Sequence, residues 1–293
     1  MVKETEEFTF KALGTHWSIS LDDDVLRNDP KEAILEYVKI FEKRFSRFLL
    51  NSEVNAFRNA KVGKYPISKE FAVLLKKADQ LRAFTERVYY PAAGGLLERA
   101  GYDAKYSMTP AADTEKFILP KWSIKNETLY LDGPAVFDLG GMGKGYCIDR
   151  VAGVLKSYDY KHFLVDGGGD MFGTTKADGS PWRIAVEYPG KPDTAAGMVY
   201  LKNQGLAVSD SFRRRWGKWH HLVNPKLKKS IESVVGAAAV APSAWDADCM
   251  TSILFLSEGG AYSKAAEEYG ASYMVFNNGG TCLVSPNWEG ELF

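Results

Sequence analysis

The segment from Asp138 to Tyr146 carries residue types that could bind phosphate. It contains four glycines and Lys144. Glycines let backbone N–H groups close around an anion, a helix starting here would add N-terminal donors, and Lys144 would supply a point charge. A Walker A loop is excluded because Gly145 stands where Ser or Thr is required, and the GxGxxG spacing is absent. The alternative interpretation is a tight turn between a strand and a helix that needs glycine only for its backbone.

A second segment, Trp245 to Ser252, places a carboxylate and a hydroxyl four residues apart. On a helix, Asp248 and Ser252 therefore share a face. Both are hard oxygen ligands of the kind that Mg²⁺ takes together with waters and substrate phosphate oxygens. Taken alone, the segment favours a simpler interpretation, in which Asp246 or Asp248 faces the positive end of a helix dipole at a capped helix start.

Two adjacent histidines, His220 and His221, form a third candidate. Neighbouring residues on a strand point to opposite faces, so this pair is poorly placed to bind one metal ion. Imidazole titrates near neutral pH. We therefore expect one of the two to face a cleft and act as a base, and the other to be exposed.

Apolar periodicity predicts the elements that must position these segments. A helix is expected to start near Gly145, directly after the glycine-rich segment, with its apolar face at positions 148, 151, 152 and 155. A second helix is expected from about Ala244 to Leu256, carrying Asp248 and Ser252. The other expected elements are a strand pair over 9–21, helices capped by Asp29 and by Ser68, a helix over 261–269, and strands at 163–165, 183–186, 198–201, 206–208, 234–240 and 272–276.

These elements favour the α+β class, because strands and helices are mixed without a strict βαβ rhythm. We expect mixed, mostly antiparallel sheets with flanking helices. The sequence contains no low-complexity run, internal repeat or long linker. Residues 1–293 are expected to form a single domain, with two closely packed lobes as an open alternative.

The balance of charge limits the classes of partner. Lys and Arg number 37, Asp and Glu number 37, and the net charge is zero. This argues against a nucleic-acid partner, which would require a basic excess. No apolar run is long enough to span a bilayer, and the first residues contain no apolar signal-peptide region. The expected location is the cytoplasm, with an exported protein whose leader has been removed as the alternative.

In their order along the chain, these segments resemble the ApbE family, the FAD:protein FMN transferases. The resemblance runs nearly from end to end. Its most specific parts are the glycine-rich segment leading into Lys144-Gly145-Tyr146 and the later helix with Ala247-Asp248. It also covers 13–18, 46–57, 91–95, 101–102, 164–170, 181–184, 206–209 and 221–225.

The resemblance implies an FAD site between two lobes, with one or two Mg²⁺ ions. It implies that Asp138 and Lys144 contact FAD. From the chemistry of the residues we expect His221, Asp248 and Lys144 to be the catalytic residues, with His221 as the candidate for accepting the proton of the attacking hydroxyl. The implied metal ligands are the Gly141 carbonyl, Asp248 and Ser252. The implied cofactor-lining residues are Leu13, Phe48, Ala92, Ala93, Gly94 and Val223, with Leu222 as the alternative to Val223.

The activity implied is Mg²⁺-dependent transfer of FMN from FAD to a Ser or Thr hydroxyl of an acceptor protein, with release of AMP. Three alternatives stay open. The same site would support an FAD pyrophosphatase that yields FMN and AMP. A non-catalytic FAD-binding module would bind FAD tightly even without Asp248. The third is a redox flavoenzyme. The sequence contains no nicotinamide-binding fingerprint, which argues against it, although flavin reductases need not carry one.

Four positions depart from the pattern of the family. Ser252 stands where Thr is common, which retains the hydroxyl. Asn224 and Tyr90 stand where Asp is frequent, and Arg58 stands where Asn is usual. We expect these departures to affect the FAD contacts and the choice of acceptor more than the class of reaction.

Overall fold

The computed structural model describes residues 6–293. Its helices are α1 (Asn28–Phe45), α2 (Lys69–Phe84), α3 (Gly94–Arg99), α4 (Gly143–Ser157), α5 (Ala244–Leu256) and α6 (Tyr262–Tyr269). Its strands are β1 (Glu6–Ala12), β2 (Thr15–Leu21), β3 (Gly63–Pro66), β4 (Trp122–Lys125), β5 (Thr128–Leu131), β6 (Phe163–Asp166), β7 (Met171–Gly173), β8 (Trp182–Tyr188), β9 (Lys191–Leu201), β10 (Gln204–Asp210), β11 (Arg215–Trp216), β12 (Trp219–His220), β13 (Val223–Asn224), β14 (Lys229–Ser230), β15 (Val234–Ala241), β16 (Ser272–Asn277), β17 (Cys282–Val284) and β18 (Glu291–Leu292).

An eight-stranded sheet in the order β1-β2-β6-β7-β10-β15-β16-β17 forms the centre of the fold. Its strand pairs are antiparallel. Two three-stranded sheets, β18-β9-β8 and β3-β5-β4, and the hairpins β11-β12 and β13-β14 lie around it. The predicted α+β class with mostly antiparallel sheets is therefore confirmed.

Strand β15 explains how both faces of this sheet are covered. Ala237, Ala239 and Ala241 belong to the main core cluster with the helices. Ala238 and Val240 belong to a second cluster formed with β8 and β9. Since successive side chains on a strand point to opposite faces, a strand buried on both faces needs a continuous apolar run. The run of small residues in β15 also leaves room for helix α5 to lie close to the sheet.

Helices α4 and α5 lie against each other on the main-core side of the sheet. The carboxylate of Asp149 in α4 accepts hydrogen bonds from the N–H groups of Ala244 and Trp245, both at 2.9 Å. These donors are among those that a helix start leaves unpaired. Ser243 adds its hydroxyl as the N-cap, accepting from Asp246 N at 3.0 Å. The start of α5 is thus fixed both locally and by α4.

Most of the predicted elements form, with shifted ends. The strand pair is the hairpin β1-β2, whose two turn residues Leu13 and Gly14 have φ values of 51° and 70°, as the preferred two-residue turn requires. Ser68 caps α2 as expected, accepting from Phe71 N at 3.1 Å. The cap at Asp29 was predicted wrongly, because α1 begins earlier, Arg27 occupies the N-cap position without a side-chain bond, and Asp29 lies in the first turn.

Across residues 6–293, no helix combines the length and the apolar character that crossing a membrane requires.

Candidate functional site

A cavity of about 620 Å³ opens between helices α4 and α5, the end of α1 and the β11-β12 hairpin. This volume lies within the range of small-molecule sites. Ten of the residues expected from the sequence line it: Leu13, Phe48, Ala93, Asp138, Gly141, Lys144, His221, Val223, Asp248 and Ser252.

Two expected cofactor-lining residues, Ala92 and Gly94, are not among those that line the cavity. Ala92 is fully buried. Gly94 lies against the backbone of Val136, where an added Cβ would come within 2.8 Å of the carbonyl oxygen. Both residues support the wall that Ala93 presents to the cavity, and their contact with a cofactor stays a prediction.

The glycine-rich segment brings α4 close to α5. An added Cβ at Gly145 would lie 2.3 Å from the backbone oxygen of Ala244, so only glycine fits there. Several N–H groups of the segment are already bonded: Gly140 donates to Asp138, Gly143 to Leu139, and Gly145 to Asp248. Gly145 therefore serves close packing, and Lys144 is the residue of this segment that offers positive charge to the cavity.

The three expected metal ligands converge at the contact between α4 and α5. The hydroxyl of Ser252 donates a hydrogen bond of 2.6 Å to the carbonyl oxygen of Gly141. Oδ2 of Asp248 accepts from Gly145 N at 2.9 Å, while its Oδ1 bonds to none of residues 6–293. The alternative interpretation, an acidic residue at a capped helix start, holds for Asp246, which lies in the first turn of α5 after the N-cap Ser243. Asp248 instead accepts its hydrogen bond from the first turn of α4.

Asp170, which was not singled out from the sequence, connects Lys144 to this group. Its carboxylate is buried, forms an ion pair with the Lys144 ammonium through Oδ2, and accepts from Val208 N through Oδ1 at 3.2 Å. Burial, followed by the charge of Asp170, raises the pKa of Asp248 to about 7. Burial lowers the pKa of Lys144, but Asp170 and Asp248 outweigh it and raise that pKa above its usual value, so the ammonium stays charged.

Arg47 and Asp138 form a second ion pair at the cavity wall. The Arg47 guanidinium is buried and lies over two rings, 4.1 Å from the centroid of Phe48 and 4.9 Å from that of Tyr102. Burial would raise the pKa of Asp138, but Arg47 and the N–H of Gly140 hold it below its usual value. Asp138 is thus kept ionised by a residue that the sequence analysis placed only within the 46–57 stretch of the family resemblance.

Of the two adjacent histidines, one faces the cavity as expected, and the other is buried rather than exposed. His221 lines the cavity, as one of the pair was expected to do. His220 was expected to be exposed, and this is wrong: it is buried, its Nε2 lies 2.6 Å from the carbonyl oxygen of Ile231, and its Nδ1 accepts from Leu222 N at 3.2 Å. The physical reason is that β12 packs against the β13-β14 hairpin, which covers the face that would otherwise meet solvent.

His221 is held uncharged. Burial, followed by the charge of Arg214, lowers the pKa of His221 to about 3. Its Nδ1 is buried and has no hydrogen-bond partner among residues 6–293. A neutral imidazole with a free nitrogen can accept a proton, and an anion bound beside it would raise its pKa and strengthen it as a base.

The opposite side of the cavity is aromatic. Phe48 stacks on Tyr106 with ring centroids 5.4 Å apart and an interplanar angle of 18°, and Tyr102 meets the edge of both rings. Flat surfaces of this kind suit a planar ring system. Tyr102 lay in a stretch of the family resemblance, whereas nothing in the sequence around Tyr106 pointed to this site.

The donor atoms fit a magnesium ion by their chemistry. A carbonyl oxygen, a hydroxyl and one carboxylate are hard oxygen ligands, and Mg²⁺ characteristically takes one or two carboxylates together with waters and phosphate oxygens. Residues 6–293 contain no cluster of three or more His, Cys, Asp or Glu side chains that would hold a metal without such a substrate. The site thus suits a metal that binds together with a phosphorylated ligand.

Comparison with known proteins identifies relatives of this chain. The sequence model of the ApbE family matches residues 13–275. The FAD:protein FMN transferase of Escherichia coli K12 is 24% identical over 307 residues, covering 96% of this chain and 88% of that protein. The crystal structure of the ApbE protein of Thermotoga maritima superposes with a TM-score of 0.84 at 25% identity and covers 97% of each chain.

A second solved structure, the flavin transferase ApbE of Vibrio cholerae, shares the fold with a TM-score of 0.82 at 20% identity, covering 97% of this chain and 98% of that one. The family match spans most of the chain, and the residues that line the cavity lie within it. The chain belongs to the ApbE family.

Proposed function

We propose that this chain transfers the FMN half of FAD to a Ser or Thr hydroxyl of an acceptor protein, with Mg²⁺, and releases AMP. The observation that carries the proposal is the convergence of Lys144, Asp248, Ser252 and the Gly141 carbonyl in one cavity that also presents aromatic rings. This reaction requires a positive charge to bind phosphate, hard oxygen ligands to bind magnesium, and a surface on which a flat ring can lie. The names of the curated relatives support the same activity.

The reaction breaks one bond and forms one. The acceptor oxygen attacks the phosphorus on the FMN side of the pyrophosphate, the bond from that phosphorus to the bridging oxygen breaks, and AMP leaves with the bonding electrons. The hydroxyl proton goes to the free nitrogen of His221 and from there to AMP or solvent. Phosphoryl transfer of this kind depends mainly on alignment and on neutralising charge.

The residues of the cavity divide this work. Lys144 would bind a phosphate oxygen and neutralise charge that develops on it. Asp248, Ser252 and the Gly141 carbonyl would hold Mg²⁺, which supplies Lewis-acid stabilisation of the pyrophosphate oxygens when bound. Asp138 would hydrogen-bond the cofactor as an ionised acceptor, because Arg47 holds it in that form.

The test is an incubation of the purified chain with FAD, Mg²⁺ and a Thr-containing acceptor protein, read by intact mass and by chromatography of nucleotides. The matched control is the same acceptor with that Thr changed to Val. We expect a gain of one FMN on the Thr form alone, with an equal amount of AMP. Removal of Mg²⁺ with a chelator should abolish both products.

Other outcomes separate the alternatives. AMP and free FMN, without an adduct on any acceptor tried, would replace the transferase by an FAD pyrophosphatase. Tight FAD binding without either product, unchanged in Asp248→Asn, would identify a non-catalytic binding module and reject the proposal.

A further inference from the structure

Arg214 lies beside His221 at the wall of the cavity. The hairpin β11-β12 pairs Arg215 with His220, and the next pair outward is joined by a hydrogen bond of 3.3 Å from His221 N to the carbonyl oxygen of Arg214. Arg214 is half-buried and lines the cavity. Its backbone is therefore fixed by the same hairpin that presents His221.

Three of the four other cations that line the cavity are already neutralised, and the fourth, Arg215, is exposed to solvent. Arg47 is paired with Asp138, Lys144 with Asp170, and Arg213 with both Glu187 and Asp210. A ligand that carries two negative charges would meet these carboxylates together with the cations. Pairing therefore removes much of the attraction that Lys144 would otherwise exert.

Arg214 differs from those cations. Its guanidinium forms no ion pair or hydrogen bond with any side chain or backbone group of residues 6–293. Arg214 lines the cavity beside His221, and after burial its charge is the largest cause of the lowered pKa of that residue. The donors of its guanidinium can therefore bind an anion in the cavity without breaking an ion pair within residues 6–293.

We propose that Arg214 binds the pyrophosphate of the nucleotide, so that this arginine, together with Lys144, makes the cavity selective for phosphorylated ligands. The inference rests on the proposed function and assigns a further binding residue to the same site. A guanidinium presents two parallel N–H groups that match two oxygens of a phosphate. Bound in this way, the pyrophosphate lies next to His221, where the acceptor hydroxyl must lose its proton.

The experiment compares ligand affinities by titration calorimetry or flavin fluorescence for the wild-type chain and three variants: Arg214→Ala, Arg214→Lys and Lys218→Ala. Lys218 is an exposed residue of the same hairpin that does not line the cavity, so its variant controls for net charge. The ligands are FAD, ADP and riboflavin, which separate the pyrophosphate from the ring system.

Arg214→Ala should lower the affinity for FAD and for ADP about tenfold or more, which is the loss expected for a charge-assisted hydrogen bond. Riboflavin affinity should stay at the wild-type value, which also shows that the cavity is intact. Arg214→Lys should recover part of the lost affinity, because lysine retains the positive charge but lacks the two parallel N–H groups of the guanidinium. Lys218→Ala should behave as wild type.

Two results would overturn the inference alone: FAD and ADP affinities that do not change in Arg214→Ala, or an equal loss for riboflavin, which would make Arg214 a residue that shapes the cavity. A raised KM for the acceptor with unchanged FAD affinity would instead assign Arg214 to a carboxylate of the acceptor. A wild-type chain that binds neither FAD nor ADP would reject the proposed function together with this inference.

Discussion

The N–H group of Gly145 donates a hydrogen bond of 2.9 Å to Oδ2 of Asp248, which joins the first turn of α4 to α5 at the base of the cavity. The contact depends on the absence of a side chain at Gly145, since a Cβ there would lie 2.3 Å from the Ala244 oxygen and 2.8 Å from Cβ of Asp248. The geometry of the candidate metal site and the packing of the two helices are therefore set by the same residue.

Gly145→Ala should destabilise the chain by about 1–3 kcal/mol or more, because backbone atoms must move to admit the methyl group. The matched control is Gly153→Ala in the same helix, where no atom of residues 6–293 outside that helix turn lies within 4 Å of the added Cβ. That exposed change should raise the free energy of unfolding by about 1 kcal/mol, since Ala is the better helix former. Urea unfolding measures both, and equal effects of the two changes would contradict the packing role.

Asp248→Asn should lower the rate of FMN transfer by about 100-fold or more, because it removes the charge of the only carboxylate among the proposed metal ligands. The amide oxygen can still accept from Gly145, so the fold should be retained in circular dichroism. Asp246→Asn is the control, an Asp of the same helix that pairs with Lys77 outside the cavity. Loss of folded structure in Asp248→Asn would reduce Asp248 to a structural residue.

Arg47→Met should cost about 3–5 kcal/mol of stability at neutral pH, because it leaves the carboxylate of Asp138 without its partner. The wild-type pKa of Asp138 is lowered, so its contribution is present above the unfolded-state pKa and is lost as the pH falls through the folded-state value. In the variant, burial is no longer opposed by the charge of Arg47, although the N–H of Gly140 still bonds to the carboxylate, so the pKa of Asp138 rises and the carboxyl takes up a proton more readily.

The penalty of Arg47→Met should therefore be smaller at about pH 4 than at about pH 7. Urea unfolding at the two pH values measures the difference. Arg99→Met is the control, since Arg99 and Asp113 form an exposed pair worth about 0–1 kcal/mol. A penalty that does not depend on pH would show that Arg47 acts by packing against Phe48 and Tyr102 rather than by charge.

His221→Gln should make the chain less sensitive to acid. The folded-state pKa of His221 is lowered to about 3, so the unfolded chain takes up the proton first, and stability falls as the pH drops below about 6.5. The variant removes this contribution and should reduce the slope of stability against pH. Part of the slope should remain, because burial also lowers the pKa of His220. His16→Gln, an exposed change outside the cavity, should keep the wild-type slope in thermal unfolding measured from about pH 7 to about pH 4.

Local patterns were sufficient for the elements that carry the site. The apolar run of β15 and the helix after it were predicted within one residue of the observed ends. Burial on both faces of a strand and helical periodicity both depend on residues close together in sequence, so a local pattern is enough to predict them. The spacing of Asp248 and Ser252 also gave their shared face correctly. Helix α4 begins at Gly143, two residues before the predicted start.

Contacts between distant segments were not predictable in this way. Lys144 meets Asp170, and Arg47 meets Asp138, only because the sheet and the helices bring separate stretches together. The burial of His220 depends on Ile231 in a neighbouring hairpin, which strand alternation cannot reveal. That Arg214 has no ion-pair partner within the described part of the chain is likewise a property of what the fold places near it, since its neighbour Arg213 pairs with both Glu187 and Asp210.

The carboxylate of Asp149 has a consequence for local opening. Because this residue of α4 holds the first two N–H groups of α5, unfolding of the α4 turn that contains Asp149 leaves the start of α5 without these partners. Amide hydrogens of that α4 turn and of the start of α5 should therefore exchange with solvent as one cooperative unit. A ligand bound at the base of the cavity should slow exchange in both helices together, including positions that it does not touch.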